Sequence, residues 1–423
     1  MPVRLFGIKE RIVSVVPLQR WLKRIFDVPR EDLLLALNPG SSSIKFALYR
    51  ARRGSAERIG RGLIDLQRRP LALTIAEGPR TAEIPLKSAI SEDFHAVLDE
   101  TLGWLAEHFS FGALAAIGHR VVHGGDRFSR PVLIDDETLA AIAALTPLAP
   151  LHQPQSIRLI EAIRRLRPQT AQTASFDTAF HRSQSDLVRR FALPRALFDQ
   201  GVKRYGFHGL SYKYIASQLT RLAPEIAMAK VVVAHLGSGA SLCALEGGVS
   251  RDTSMAFSTL DGVPMATRCG ALDPGVLIHL LERQRMPVAA LEDMLYHRSG
   301  LLGVSGISGD SRALLASGAP EAREALDLFA FRVGKEIAAL AASIAGLDAI
   351  VFTAGIGEHQ PPVRASICER LAWLGVKIDI GANQKSALRI SAPQSAVAVL
   401  VVPTDEEQTI ADEALELLGA PDP

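Results

Sequence analysis

Leu33-Leu34-Leu35-Ala36-Leu37 runs straight into Asn38-Pro39-Gly40-Ser41-Ser42-Ser43, and Ile44-Lys45-Phe46-Ala47-Leu48-Tyr49 follows. An apolar run, a short polar turn and a second apolar run predict strand, tight turn, strand. The pattern returns about half a chain later. Val231-Val232-Val233-Ala234 leads into His235-Leu236-Gly237-Ser238-Gly239-Ala240-Ser241, then Leu242-Cys243-Ala244-Leu245. Two such units predict an internal duplication: an α/β protein of two similar lobes with a ligand between them.

Working outward, apolar residues at three- and four-residue spacing predict helices over 137–145, 156–166, 212–222 and 322–344. Ala349-Ile350-Val351-Phe352-Thr353 reads as a buried strand entering the glycine turn Ala354-Gly355-Ile356-Gly357-Glu358. Residues 396–402 predict a last strand, Pro403-Thr404-Asp405-Glu406-Glu407 follows, and 408–418 predict a closing helix.

The chain has 423 residues, 48% hydrophobic and 22% charged, with a formal net charge of +2. That length exceeds one hydrophobic core, and the even charge balance does not suggest a nucleic-acid surface. Cys243, Cys269 and Cys368 are too few and too scattered for a disulfide framework or a structural zinc site, so a cytoplasmic protein is expected. No apolar run is long enough to span a bilayer, and no stable membrane insertion is expected. Residues 1–31 are mildly basic, and Val16, Leu18, Trp21, Leu22 and Ile25 could line one face of a short helix.

Glycine lets backbone N–H groups converge on an anion. Three glycine turns after three strands therefore point to phosphate, although none fits GxxxxGK[ST] or a dinucleotide fingerprint. Gly118-His119-Arg120-Val121-Val122-His123-Gly124-Gly125 places an arginine in an apolar segment, where its charge needs a carboxylate or phosphate. Asp177 lies among Phe176 and Phe180, His208 within Tyr205-Gly206-Phe207-His208-Gly209, and Arg268 beside Gly270. Glu406, just past the last strand, suits a magnesium ion. Separated acids, two arginines, a histidine and glycine turns are what phosphoryl transfer requires, because its catalysis is mostly positioning and charge neutralisation.

In order along the chain, the segments 38–46, 118–125, 176–181, 205–209, 235–241, 267–270, 353–358 and 403–407 resemble the acetate kinase family, which includes propionate and butyrate kinases and belongs to the superfamily of sugar kinases, heat-shock ATPases and actin. The resemblance implies two actin-like, ribonuclease H-like lobes with the active site in the cleft between them: residues 32–179 plus 408–423 as lobe I, 180–407 as lobe II, and 1–31 as an extension without counterpart. It implies reversible, magnesium-dependent transfer of the ATP γ-phosphoryl group to acetate or another short-chain carboxylate, giving an acyl phosphate and ADP, with Mn2+ as a substitute metal and a homodimer as the assembly. Asn38 and Glu406 would hold the metal. Arg120 would bind the carboxylate, and Asp177, His208 and Arg268 would complete the catalytic set. Lys45, His235, Leu236, Gly237, Ser238, Gly239, Asp310, Ser311, Arg312, Gly355, Ile356, Gly357, Glu358 and His359 would line the nucleotide. Val122, Leu151, His152 and Phe207 would surround the acyl group. A carboxylate is ionised at pH 7 and needs no general base, so Asp177 is expected to orient a partner.

The chain departs from the family pattern where Ser238, Ser311 and His359 replace asparagine, phenylalanine and asparagine, where Leu210 and Tyr212 replace threonine and histidine, and at Thr259, which replaces proline. These changes leave open a phosphoryl donor other than ATP, or a non-catalytic regulatory protein on the same scaffold.

Overall fold

Strand β1 (Leu33–Pro39) is buried along its whole length, which is why its apolar residues run consecutively and do not alternate. β2 (Ser43–Arg52) returns antiparallel with Phe46 opposite Leu37, and β3 (Ser55–Asp65), β4 (Ala72–Glu77) and β5 (Arg80–Pro85) continue the meander. Helix α1 (His95–His108) then crosses to β6 (Leu114–Val121), which lies parallel to β1 on its other side. β7 (Val132–Leu133), α2 (Asp136–Ala143), α3 (Gln153–Leu166) and β8 (Ala171–Phe176) complete a sheet of order β5-β4-β3-β2-β1-β6-β8-β7. The computed structural model describes residues 33–40, 43–52, 54–88, 94–109 and 114–419. The expected N-terminal helix face and the turn residues Ser41 and Ser42 lie outside the described residues.

Helix α4 (Gly209–Leu222) opens the second half, followed by β9 (Lys230–Leu236), β10 (Ala240–Glu246), β11 (Val249–Thr253), the long helix α5 (Pro320–Ser343), β12 (Ala349–Thr353), α6 (Ala354–His359) and β13 (Ala398–Val401). Their sheet has the order β11-β10-β9-β12-β13. Strand for strand this repeats β3-β2-β1-β6-β8: two antiparallel pairings, then two parallel ones. The duplication expected from the two hairpins is therefore a duplication of topology.

Alternation along the central strands sets the layers. Leu33, Leu35 and Leu37 join a core with Leu98 and Leu102 of α1 and Leu159 and Ile163 of α3, while Leu34 and Ala36 face Ile410 and Ala411 of the closing helix α7 (Glu406–Gly419). In the second sheet Val232 and Ala234 pack against Phe329 and Val333 of α5, whereas Val231 and Val233 meet Ile215 and Leu219 of α4. Helix α7 follows the second sheet in sequence yet packs on the first. Gly118 of β6 permits this, because a Cβ there would lie 2.6 Å from Ile410 Cγ2. Lys213 and Glu413, paired at 2.6 Å, tie α4 to α7 between the two sheets. Among the described residues no helix is long and apolar enough to cross a membrane.

Candidate functional site

The carboxyl ends of the corresponding strands converge on one cleft of about 540 Å3, the position at which open α/β sheets bind ligands. β1 delivers Asn38, β6 delivers Arg120, and Asp177 follows β8 directly. From the second sheet come Gly237 after β9, Ala354 and Gly355 after β12, and Thr404 and Glu406 after β13.

Asp177 is almost wholly buried and takes Arg120 side on, through Nε and Nη2. Its carboxylate accepts Arg120 Nε at 3.1 Å to both oxygens and Nη2 at 2.5 Å. The other edge of the guanidinium donates from Nη1 to Asn38 Oδ1 at 3.2 Å and Pro39 O at 3.4 Å. Asn38 Nδ2 in turn donates to Glu406 Oε2 at 2.9 Å and Glu407 Oε1 at 2.7 Å. One chain of contacts thus links residues spread across nearly the whole sequence. Burial opposes the charge on Arg120, but Asp177 and Glu406 overcome it and hold the guanidinium firmly protonated. Burial pushes the Asp177 carboxyl up, against the pull of Arg120. Burial would also raise Glu406, yet Arg120, His235, the Asn38 amide and Lys45 together outweigh it and keep that carboxyl below its ordinary value. Glu407 beside it is pushed up, by burial and by the charge of Glu406.

Gly209 sets the opposite wall. Its N–H donates to Asp177 O at 3.0 Å, and a Cβ there would lie 2.0 Å from that oxygen, so only glycine lets α4 begin this close to Asp177. His208, the residue before it, sits in the left-handed region at φ 57. Such strain in a residue with a Cβ persists where the surroundings enforce it, and it clusters at functional sites. The His208 ring stacks on His235, centroids 4.3 Å apart. Each ring is anchored through Nδ1 by a serine: His208 by Ser241 at 2.7 Å and His235 by Ser211 at 2.8 Å. Burial and the neighbouring positive groups lower His208 well below the usual imidazole value, and burial brings His235 to about 4. Arg268 also faces the cleft, with Nη1 3.2 Å from Thr259 O and no carboxylate partner among the described residues. Burial lowers its pKa without neutralising it.

Most of the expected residues therefore meet. Asn38, Lys45, Arg120, Val122, His152, Asp177, Phe207, His208, His235, Gly237, Ser238, Gly239, Arg268, Gly355, Glu358, His359 and Glu406 line the cleft. Leu236, Ile356 and Gly357 stand buried behind it. Leu151 does not reach it: the side chain is 46% exposed and lines a separate cavity of about 180 Å3 that shares His152, Phe207 and Thr259 with the cleft. Asp310, Ser311 and Arg312 are also outside it. Asp310 caps the next helix and pairs with Arg312 at 2.7 Å, so its carboxylate is spent on local structure. The sequence reading overlooked Glu407, Thr404, Ala354 and Ser43, which line the cleft as well. Glu407 reads as an ordinary acid in a helix's first turn, a position that any helix dipole favours.

The residues fit a divalent cation. Glu406 and Glu407 share one amide donor, and neither is in a salt bridge among the described residues. Magnesium needs only one or two carboxylates when phosphate and water complete its shell. With Arg268 unpaired, His208 uncharged and the glycine turn open, the cleft is built to take two anions side by side.

The acetokinase family profile matches residues 33–412. An acetate kinase of Rhodopseudomonas palustris (strain TIE-1) is 49% identical over 388 residues, covering 90% of this chain and 97% of that protein. An acetate kinase of Rickettsia felis is 39% identical over 92% of this chain and all of its own length. Among solved structures, a propionate kinase from Francisella tularensis superposes with a TM-score of 0.84 at 36% identity, covering 90% of this chain and 98% of that one. Porphyromonas gingivalis acetate kinase gives 0.81 at 32% identity, covering 92% and 100%. The two sheets and the cleft between them are thus the two lobes of an actin-like fold.

Proposed function

The chain belongs to the acetokinase family, and we propose from that premise that it transfers the γ-phosphoryl group of ATP to acetate, reversibly and with magnesium, giving acetyl phosphate and ADP. The observation that carries the reading is the fixed guanidinium of Arg120, held by Asp177 across from the unpaired Arg268. An ionised carboxylate attacks phosphorus without a base. The obstacle is repulsion between an anion and a polyanion. Arg120 binds the carboxylate, Arg268 and His208 face the charge that grows on the transferring group, and preorganised donors of this kind supply much of a rate enhancement. Asp177 acts through Arg120: with both oxygens engaged, it aims the guanidinium and takes no proton. Val122 and Phe207 give the methyl group an apolar wall. Asn38, Glu406 and Glu407 would hold magnesium, which supplies charge neutralisation to the phosphates when bound. Backbone N–H groups of Ser238, Gly239 and Gly355, with Lys45, grip the nucleotide. The homologues favour ATP as the donor and an active enzyme over the alternatives left open by Ser238, Ser311 and His359.

Lobe I comprises 32–179 with 408–423 and lobe II 180–407. The return of α7 to the first sheet supports this division. The enzyme works in the cytoplasm as a homodimer. The test is a hydroxamate assay for acyl phosphate with Mg-ATP and acetate, propionate or butyrate. Acetate gives the strongest signal, and Arg120→Ala abolishes it. No signal with any of the three acids overturns the reading.

A further inference from the structure

His208 faces the cleft with one ring nitrogen, and that nitrogen helps the reaction only if it carries the proton. The surrounding hydrogen bonds decide whether it does. Its Nδ1 lies 2.7 Å from Ser241 Oγ, and Ser241 Oγ lies 2.5 Å from the hydroxyl of Tyr212. Tyr212 is fully buried on α4 and its hydroxyl has no other partner among the described residues. Ser241 is fully buried as well and has one proton to give.

Three arrangements of these protons exist, and the one in which both Tyr212 and Nδ1–H donate to Ser241 leaves the buried serine proton without an acceptor. If Ser241 donated to Tyr212, the phenolic proton would be left without an acceptor in a dry interior, an unfavourable state. If Tyr212 donates to Ser241 and Ser241 to Nδ1, every buried donor is used, and Nδ1 must be the bare nitrogen. The ring proton is left on Nε2. Nε2 looks over the glycine turn of the second lobe, where a Cβ on Gly239 would lie 3.4 Å from it and 3.6 Å from Arg268 Nη1. Two N–H donors therefore converge on the same side of the cleft.

We propose that Tyr212 and Ser241 are positioning residues that hold His208 as its Nε2–H tautomer, so that an imidazole N–H joins Arg268 in facing the transferring phosphoryl group. The catalytic half of this statement rests on the phosphotransfer reading above; the tautomer itself does not. Burial keeps the Tyr212 hydroxyl well above its ordinary pKa, so it stays a donor across the working range.

The experiment is long-range 1H–15N NMR of the full chain labelled with 15N-histidine, where the two ring-nitrogen shifts report the tautomer directly. His208 is assigned by the loss of its signals in His208→Gln. Wild type shows Nε2–H, and both Tyr212→Phe and Ser241→Ala populate Nδ1–H. Wild type in the Nδ1–H form, or both variants still purely Nε2–H, overturns the proposal whether or not the protein phosphorylates acetate. Kinetics then test the catalytic half. Tyr212→Phe lowers kcat roughly two- to fivefold with KM for acetate unchanged, as expected when a bias worth about a factor of ten is removed. In a His208→Gln background, where the side chain has no tautomer, Tyr212→Phe has no further effect. An equal loss in both backgrounds assigns Tyr212 a packing role and overturns its role through His208.

Discussion

The two lobes repeat one strand order, yet they load the same positions with different chemistry. In lobe I the strand ends carry side chains: Asn38 after the apolar part of β1, Arg120 near the end of β6, Asp177 after β8. In lobe II the ends of β9 and β12 carry the Gly237–Gly239 turn and the Ala354–Gly355 step, and only β13 is followed by charged side chains at the cleft, Glu406 and Glu407. Glu358 holds these turns in place, since its Oε1 accepts Ala354 N at 2.8 Å and Thr404 N at 3.1 Å. Side-chain charge suits a small carboxylate and a metal, whose partners are few and directional. Backbone N–H groups suit polyphosphate, which offers many oxygens and needs many donors. A duplicated scaffold thus divides labour without changing topology.

The largest effect is expected in lobe I. Asp177→Asn leaves Arg120 without its buried counterion and lowers kcat on the order of a thousandfold. Both limbs of the pH–rate profile persist, because Asp177 moves no proton. Loss of a limb would make it a base and break the division just drawn. Glu406→Gln is next: activity at low magnesium falls about a hundredfold and recovers partly at high magnesium, while Glu407→Gln falls less, its carboxyl being already harder to ionise. Equal losses in magnesium titrations would show that the pair acts as one ligand.

The third concerns stability. Burial lowers His119 in lobe I from 6.5 to about 4. The folded form thus binds fewer protons than the unfolded chain. The ring's contribution is fully present above pH about 6.5 and is lost as pH falls through about 4, on the order of 1–3 kcal/mol. Urea midpoints at pH 7.5 and 4.5 should drop by less in His119→Gln than in wild type; an equal drop would place the acid sensitivity elsewhere, for instance at His181 or His235, which are lowered to about 4 for the same reason. The smallest effect is in lobe II. A Cβ on Gly355 meets nothing within 4 Å, so Gly355→Val should fold with an unchanged Tm. It should raise KM for ATP about tenfold, the worth of one lost phosphate contact, with kcat for acetate nearly intact. A collapse of kcat would mean that the lobes are not separable in function.

The apolar runs, the glycine turns and the charged residues were legible in order along the chain, because each has a local physical cause: burial on both faces for β1 and β9, backbone freedom at Gly237, and the expense of an unpaired arginine at Arg120. That reading extended to Asp177 as an acid expected to orient a partner, and Arg120 makes three N–H contacts with it. What it could not read was a residue's direction. Leu151 matches the acyl pocket in sequence and faces a neighbouring cavity in space. Asp310 and Arg312 read as nucleotide contacts and are paired with each other. Glu407 reads as a helix-start acid and proves to share the amide of Asn38.

By itself, then, the sequence determined the duplicated strand–turn–strand units, the family, and which residue types would stand at strand ends. Those follow from periodicity and from what each backbone position tolerates. Only the tertiary structure decided that one amide joins Arg120 to Glu406 and Glu407, that α7 lies over β6 through Gly118, and that Tyr212 and Ser241 stand in line behind His208. Such contacts join residues up to 369 positions apart, and no local preference of the chain encodes a distance of 3 Å between them.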